Sequence, residues 1–320
     1  MRASIPAFIC FVLLTQPASA ETAYASNEQD NTVSVIDGAS LTVVATIPVG
    51  RRPRGIGLSV DRRKLYVAVG DDNRIDVVDL RTRRVEGSLP SGDDPELFAV
   101  HPDGRRLFVA NENDNLVTVL DIPERRIMSE IEVGVEPEGM GVSPNGRLVV
   151  NTSETTSMLH VIDAETHELV DNILVDTRPR VAQVSADNRQ IWVSSELRGS
   201  VSVFDAETRE PLAKIGFEVP GVPQELIQAV GIQLTPDGSR AYVALGPANR
   251  VAEVDARTFK VLRTYLVGQR VWHIALSLDA KRLYTANGSS GDVSILDLDG
   301  RQVVKTVRAG RSPWGVVVAP

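Results

Sequence analysis

The chain has 320 residues, with 42 acidic and 34 basic side chains, one cysteine, and 5% aromatics within a 42% hydrophobic set. That is enough apolar material for a sizeable core, while a net charge of -8 with both signs interleaved lacks the basic stripe that a phosphate backbone needs and argues against a nucleic-acid partner. The one continuous apolar run, residues 5–14, is far short of the roughly 20 residues that span a bilayer.

That run follows Arg2 and leads into Ala18-Ser19-Ala20, the small-x-small pattern read by signal peptidase. Cleavage after Ala20 is expected, with Glu21 as the mature N-terminus. The alternative, a buried N-terminal strand, is opposed by Pro6. Removal of residues 1–20 takes Cys10 with it, leaving 33 basic and 42 acidic groups, a net -9, and no cysteine. Disulfides and thiol catalysis are then excluded, and a soluble, periplasmic monomer is expected.

Self-similarity decides the architecture. The run Thr32-Val33-Ser34-Val35-Ile36-Asp37 recurs six times, placing Asp37, Asp79, Asp121, Asp163, Asp205, Asp255 and Asp297 at intervals of 42, 42, 42, 42, 50 and 42. Each of the seven units holds four segments rich in β-branched residues and bounded by Gly, Pro, Asn or Asp, which predicts four antiparallel strands. Asp103-Gly104, Asn145-Gly146 and Asp237-Gly238 suit tight turns that need a positive φ. Four strands repeating at about 40–45 residues predict a blade, and seven blades an all-β propeller ring over residues 21–320. The repeat begins in phase at a second strand, Ala23-Tyr24-Ala25-Ser26, and ends on a first strand, Trp314-Gly315-Val316-Val317-Val318. The two should complete one blade and leave no unpaired edge.

The segments Leu65-Tyr66-Val67-Ala68-Val69, Leu107-Phe108-Val109-Ala110-Asn111 and Leu283-Tyr284-Thr285-Ala286-Asn287, each followed by a polar turn and the Val-x-Val-x-Asp strand, resemble the YVTN-type β-propeller repeat. No unit spells the four letters, and Leu148-Val149-Val150-Asn151 is eroded. With the leader and the terminal Arg311-Ser312-Pro313-Trp314-Gly315-Val316, the whole is similar to secreted propellers associated with pyrroloquinoline quinone-dependent alcohol catabolism. The resemblance implies a non-catalytic binding or assembly role and suggests the quinone as a ligand.

Catalytic motifs are scarce: Gly-x-Ser-x-Gly, P-loop, HExxH and CxxC are all missing from the sequence. His101, His160, His167 and His273 occupy non-equivalent places with no partner at zinc spacing. Gly55/Gly57 and Gly139/Gly141 precede no helix and read as packing glycines. The seven aspartates invite a metal array, but each precedes a turn whose N–H groups its carboxylate can cap.

A column that the repeat leaves unconstrained is more informative. The first-strand starts align Arg54, Glu96, Glu138, Arg180, Val230, Trp272 and Trp314, preceded two residues earlier by Arg52, Asp94, Glu136, Arg178, Gln228, Arg270 and Ser312. Innermost strands line a propeller's channel, so this column should sit at its mouth. One reading is ordinary Arg54–Glu96 and Glu138–Arg180 ion pairs with packing tryptophans. The other is an asymmetric site for a planar anion such as pyrroloquinoline quinone, stacked on Trp272 or Trp314 and paired with Arg54 and Arg180, with Glu96 and Glu138 holding calcium. The eight-residue insertion around Gly216–Gln228 falls on the same rim, where its Gln224–Gln228 end would cover a ligand. A binding or accessory protein, for a small anion or a protein partner, is one class of function. An enzyme, a lactone hydrolase or quinone-linked oxidoreductase with Glu96 or Glu138 as base or metal ligand, is the other.

Overall fold

The computed structural model describes residues 21–320; the expected leader and Cys10 lie outside them. Twenty-eight strands form seven four-stranded antiparallel sheets, each blade in simple meander order. Blades one to six begin with the innermost strands Pro53–Leu58, Pro95–Val100, Pro137–Val142, Pro179–Val184, Ile232–Leu234 and Val271–Leu276. Blade seven combines Pro313–Ala319 with Thr22–Asn27, Thr32–Asp37 and Thr42–Pro48. The expected closure is therefore present, with Ala23 opposite Val318, Tyr24 opposite Val317 and Ala25 opposite Val316.

The strand pattern follows from where each strand sits in its blade. Second and third strands are covered on both faces by neighbouring blades, so Lys64–Val69 and Val-rich Leu116–Asp121 are buried almost throughout. They read as near-continuous apolar runs. Fourth strands face solvent, and Thr42–Pro48 alternates exposed and partly buried residues. Turn chemistry also holds, since Gly104, Gly146 and Gly238 have φ of +69°, +71° and +64°. All seven repeated aspartates cap the turns that follow them: Asp37 accepts the Ser40 N–H, and Asp79, Asp121, Asp163, Asp205, Asp255 and Asp297 accept those of Thr82, Glu124, Thr166, Thr208, Thr258 and Gly300. Their carboxylates are spent on structure.

One irregularity shapes the channel. In five of the six other blades, as in blade seven, the pairing of the first two strands slips just after its first residue; Pro53 faces Val69, but the next matched pair is Ile56 with Val67. Such a two-against-one bulge bends the strand and re-aims a side chain. The residues it skips include Arg54, Glu96, Glu138, Arg180, Trp272 and Trp314. Two residues earlier the backbone turns left-handed, with φ of 52–59° at Arg52, Asp94, Glu136, Arg178, Arg270 and Ser312. Side chains of the preceding blade hold four of these corners: Asn31, Asn73, Asn115 and Asn249 accept the N–H groups of Arg52, Asp94, Glu136 and Arg270 at 2.9–3.1 Å.

Trp314, Val316 and Val318 are 1%, 5% and 7% exposed, and burying each valine contributes roughly 1.5–3 kcal/mol. Deleting residues 312–320 should accordingly lower the melting temperature by more than about 10 °C, as circular dichroism would record. An unchanged melt would contradict closure through this strand.

Candidate functional site

The bulges bring six of the seven column residues, all but Val230, into one layer of ion pairs and tryptophans across a single end of the channel. Arg54 Nη1 donates to Glu96 Oε1 at 2.7 Å and Arg54 Nε to Glu28 Oε1 at 2.8 Å. Arg52 Nη2 reaches the same Glu96 oxygen at 3.1 Å and also pairs with Asp94. On the other side Arg180 pairs with Glu138 at 2.9 Å, with Glu154, and with Glu196 at 3.8 Å. Arg178 joins Glu154 and Glu196, and Arg270 Nη2 donates to Glu196 Oε1 at 2.7 Å. The tryptophans lie under the guanidinium groups: Arg54 is 5.7 Å from the Trp314 ring centre, and Arg180 and Arg270 are 5.6 and 4.0 Å from that of Trp272.

Four of these acids, Glu28, Glu112, Glu154 and Glu196, escape a reading of first strands because they follow the second strand of their units. The signal was available: positions 28, 70, 112, 154, 196, 246 and 288 are equivalent, and hold four glutamates and three glycines. Three of the glutamates crowd the mouth on the side of blades two to four and Glu28 belongs to blade seven, while Gly288 leaves room above blade six.

Burial sets the proton affinities. Glu138 is held well above the usual carboxyl range by burial and by Glu96 and Glu154, which outweigh Arg180; Glu154 is raised by burial and by Glu196 and Glu136. Glu112 is pushed up to about 7 by burial, by the charge on Glu96 and by a hydrogen bond with it. The buried Glu96 Oε2 has no hydrogen-bond partner among the described residues, and Glu112 lies beside Asp94 and Glu96. His273, beneath the layer, is lowered to about 3 by burial and by the charges of Arg180 and Arg54, and stays neutral.

These contacts correct two expectations about the site. Arg180 is 4% exposed and Glu96 and Glu138 are 0% and 1% exposed, so neither that guanidinium nor those carboxylates face an incoming molecule. Arg54 is likewise committed to Glu28 and Glu96. Trp314 is sealed and stacks on His273 with ring centres 4.2 Å apart, and one face of Trp272 is covered by Arg270. The insertion, meanwhile, is a wedge: Phe217, Val219 and Ile227 are buried in the core shared by blades four and five. Only its end reaches the column, where Gln228 Oε1 accepts from Arg270 Nη1 at 2.6 Å.

Among the described residues one acidic trio, Asp94, Glu96 and Glu112, places a carboxylate oxygen from each within 4.8 Å of the others. Glu138, expected to share calcium with Glu96, is turned to Arg180 instead. The guanidinium groups of Arg52 and Arg54 already compensate the charge of the trio.

The open part of this face is a cleft of about 730 Å³ between blades six and seven, within the size range of small-molecule sites. Its donors are the Trp272 indole, Ser289 and the guanidinium groups of Arg270, Arg308 and Arg311. Arg311 is engaged with Asp30, whereas Arg308 is exposed and forms no ion pair with a described residue. A Cβ at Gly288 would lie 2.5 Å from Trp272 Nε1, so glycine here lets the indole edge reach the cleft.

Comparison with known proteins gives a family-model match over residues 96–182 to the cytochrome D1 heme domain, about a quarter of the chain. No curated protein matches. Among solved structures, hydrazine synthase of Kuenenia stuttgartiensis is 19% identical with a TM-score of 0.80, over 86% of this chain and 92% of that one. A functionally unknown protein from Desulfotomaculum acetoxidans is 13% identical with a TM-score of 0.80, over 93% and 98%. Dihydro-heme d1 dehydrogenase NirN in complex with DHE is 16% identical with a TM-score of 0.70, over 96% and 77%. At these identities the likeness is one of fold.

Two stability predictions follow from the ionic layer. Arg180→Leu strands Glu138 and Glu154 in a buried site and should cost about 3–5 kcal/mol at pH 7 by urea unfolding; a cost below about 1 kcal/mol would mean that solvent already reaches the pair. Glu112 binds its proton more tightly folded than unfolded, so its contribution is full below the ordinary value of 4.5 and is lost as pH rises through about 7. Glu112→Gln, a permanent donor, should therefore gain stability relative to the wild type across that window. A pH-independent difference would contradict this assignment.

Proposed function

We propose that the protein is a binding propeller whose ion-paired face receives a planar, carboxylate-bearing small molecule in the cleft between blades six and seven. The observation that carries this is the donor set. Arg308 is uncommitted, Arg270 and Arg311 are partly exposed, and the Trp272 N–H makes no hydrogen bond to a described residue. Guanidinium groups beside an indole edge suit carboxylates on a flat ring. Pyrroloquinoline quinone, a flat tricarboxylate, is the first candidate, and the repeat resemblance supports it.

A tetrapyrrole bears peripheral carboxylates too, and the names of the matched domain and of NirN favour it as the second ligand to test. The cleft fits that periphery but not an iron: its lining holds no imidazole, thiolate, thioether or phenolate to serve as an axial ligand. Binding rather than catalysis is supported by the sealed state of Glu96 and Glu138, which as bases would have to reach a substrate.

Isothermal titration of purified protein with the quinone should show one saturable site, weakened about tenfold or more in Arg308→Ala/Arg311→Ala and abolished by Arg308→Glu. Quenching should come mainly from Trp272, because Trp192 and Trp314 are enclosed. Absence of binding by both quinone and haem, or affinity indifferent to the Arg308 charge, would overturn the reading.

A further inference from the structure

Below the ionic layer the channel opens into a second chamber of about 430 Å³, walled by the inner strands and chemically unlike the mouth. No charged side chain lines it. Its wall is aliphatic, with Ile56, Met140, Val181 and Ile232 among the contributors, and its inner end carries Trp314 and His273. Only Gln183, Gln233 and His273 bring polar side chains, and Gln183 Oε1 already accepts the Leu234 N–H at 3.2 Å.

His273 is out of place in such a wall. Neither ring nitrogen bonds to a described residue, and Nε2 is enclosed without a partner. Burial, with the Arg180 and Arg54 charges nearby, keeps the ring neutral, so it cannot compensate by ionising. Leaving a buried polar group unpaired costs about 1–3 kcal/mol. The ring is half-buried and lines the chamber, so its other nitrogen, Nδ1, which likewise has no partner among the described residues, is the one left to meet a molecule there. The wall offers an ordered water few polar contacts, where one normally makes 2–4.

We propose that this chamber is a second binding site, for an uncharged, mainly apolar small molecule carrying one hydroxyl, of the alcohol or phenol class, held by a hydrogen bond to His273. The charge-free wall excludes ionic ligands and gives apolar surface a favourable place to go. A hydroxyl both donates and accepts, so it satisfies either tautomer of the imidazole. The site is independent of the anion cleft, from which the Arg180 and Arg54 ion pairs separate it.

The test uses 2-naphthol, with naphthalene as the control lacking the hydroxyl, followed by calorimetry on the whole mature chain. Wild-type protein should bind 2-naphthol saturably and more tightly than naphthalene. His273→Phe keeps a ring against Trp314 but removes both nitrogens, and should weaken 2-naphthol by about fivefold to tenfold while leaving naphthalene unchanged. Ala99→Trp, which fills the chamber from another blade, should abolish both, with circular dichroism confirming the fold. No binding of either probe, equal affinity for the two, an unaltered 2-naphthol affinity in His273→Phe, or binding that survives Ala99→Trp would each overturn the proposal.

Discussion

Everything at the channel axis depends on burying charge without leaving it bare. Seven inner strands converge where there is room for few side chains, and this chain fills one end with arginines and glutamates rather than with hydrocarbon. Arg180 is held between glutamates of blades three and four, and Arg54 between those of blades two and seven. A buried ion pair is weak support for stability, since desolvation offsets much of the attraction. It is strong support for geometry, because removing one partner is costly. The layer therefore fixes how neighbouring blades meet and cuts the channel into two compartments.

The excess of acid around that layer is held by arginine partners and by raised proton affinity. Burial raises the proton affinities of Glu112, Glu138 and Glu154, with Glu112 pushed up to about 7, while Glu138 and Glu154 keep Arg180 as their ion-pair partner. The cations, in contrast, stay charged. Glycine replaces glutamate at 246 in blade five and at 288 in blade six, and the one carboxylate lining the cleft between blades six and seven, Glu28, is already paired with Arg54, so that side is left donor-rich at the same face. The asymmetry that could host an anion arises from the positions where the repeat drops an acid.

Most of the architecture is legible in the sequence because a propeller writes each blade as the same local pattern: the aspartate ladder, the turn dipeptides and the phase of the first and last strands each report a short-range requirement. The column is legible as a column for the same reason. Its pairing is not, because Arg180 meets Glu154 and Glu196 at positions 26 and 16 residues away that follow the second strands of the preceding unit and of its own, and only the bulge shows where the side chains turn. Asn31, Asn73, Asn115 and Asn249 read locally as turn residues, yet their amides clamp the next blade. The insertion reads as a lid because length alone carries no direction; Phe217 and Ile227, both apolar, carry the sign that it packs inward. His273 looks isolated along the chain, and gains meaning only when the ring places it against Trp314 and the chamber wall.

Two compartments with opposite chemistry, separated by one ionic layer, are the core of this account, and the anion cleft is its most exposed claim. A crystal structure of residues 21–320 grown with pyrroloquinoline quinone tests it directly. The account predicts density for the planar ring beside Trp272 and Gly288, with a carboxylate on Arg308 and the Arg180–Glu138 pair undisturbed. Density that displaces the ion pairs, lies on another face, or is missing at saturating ligand would contradict it.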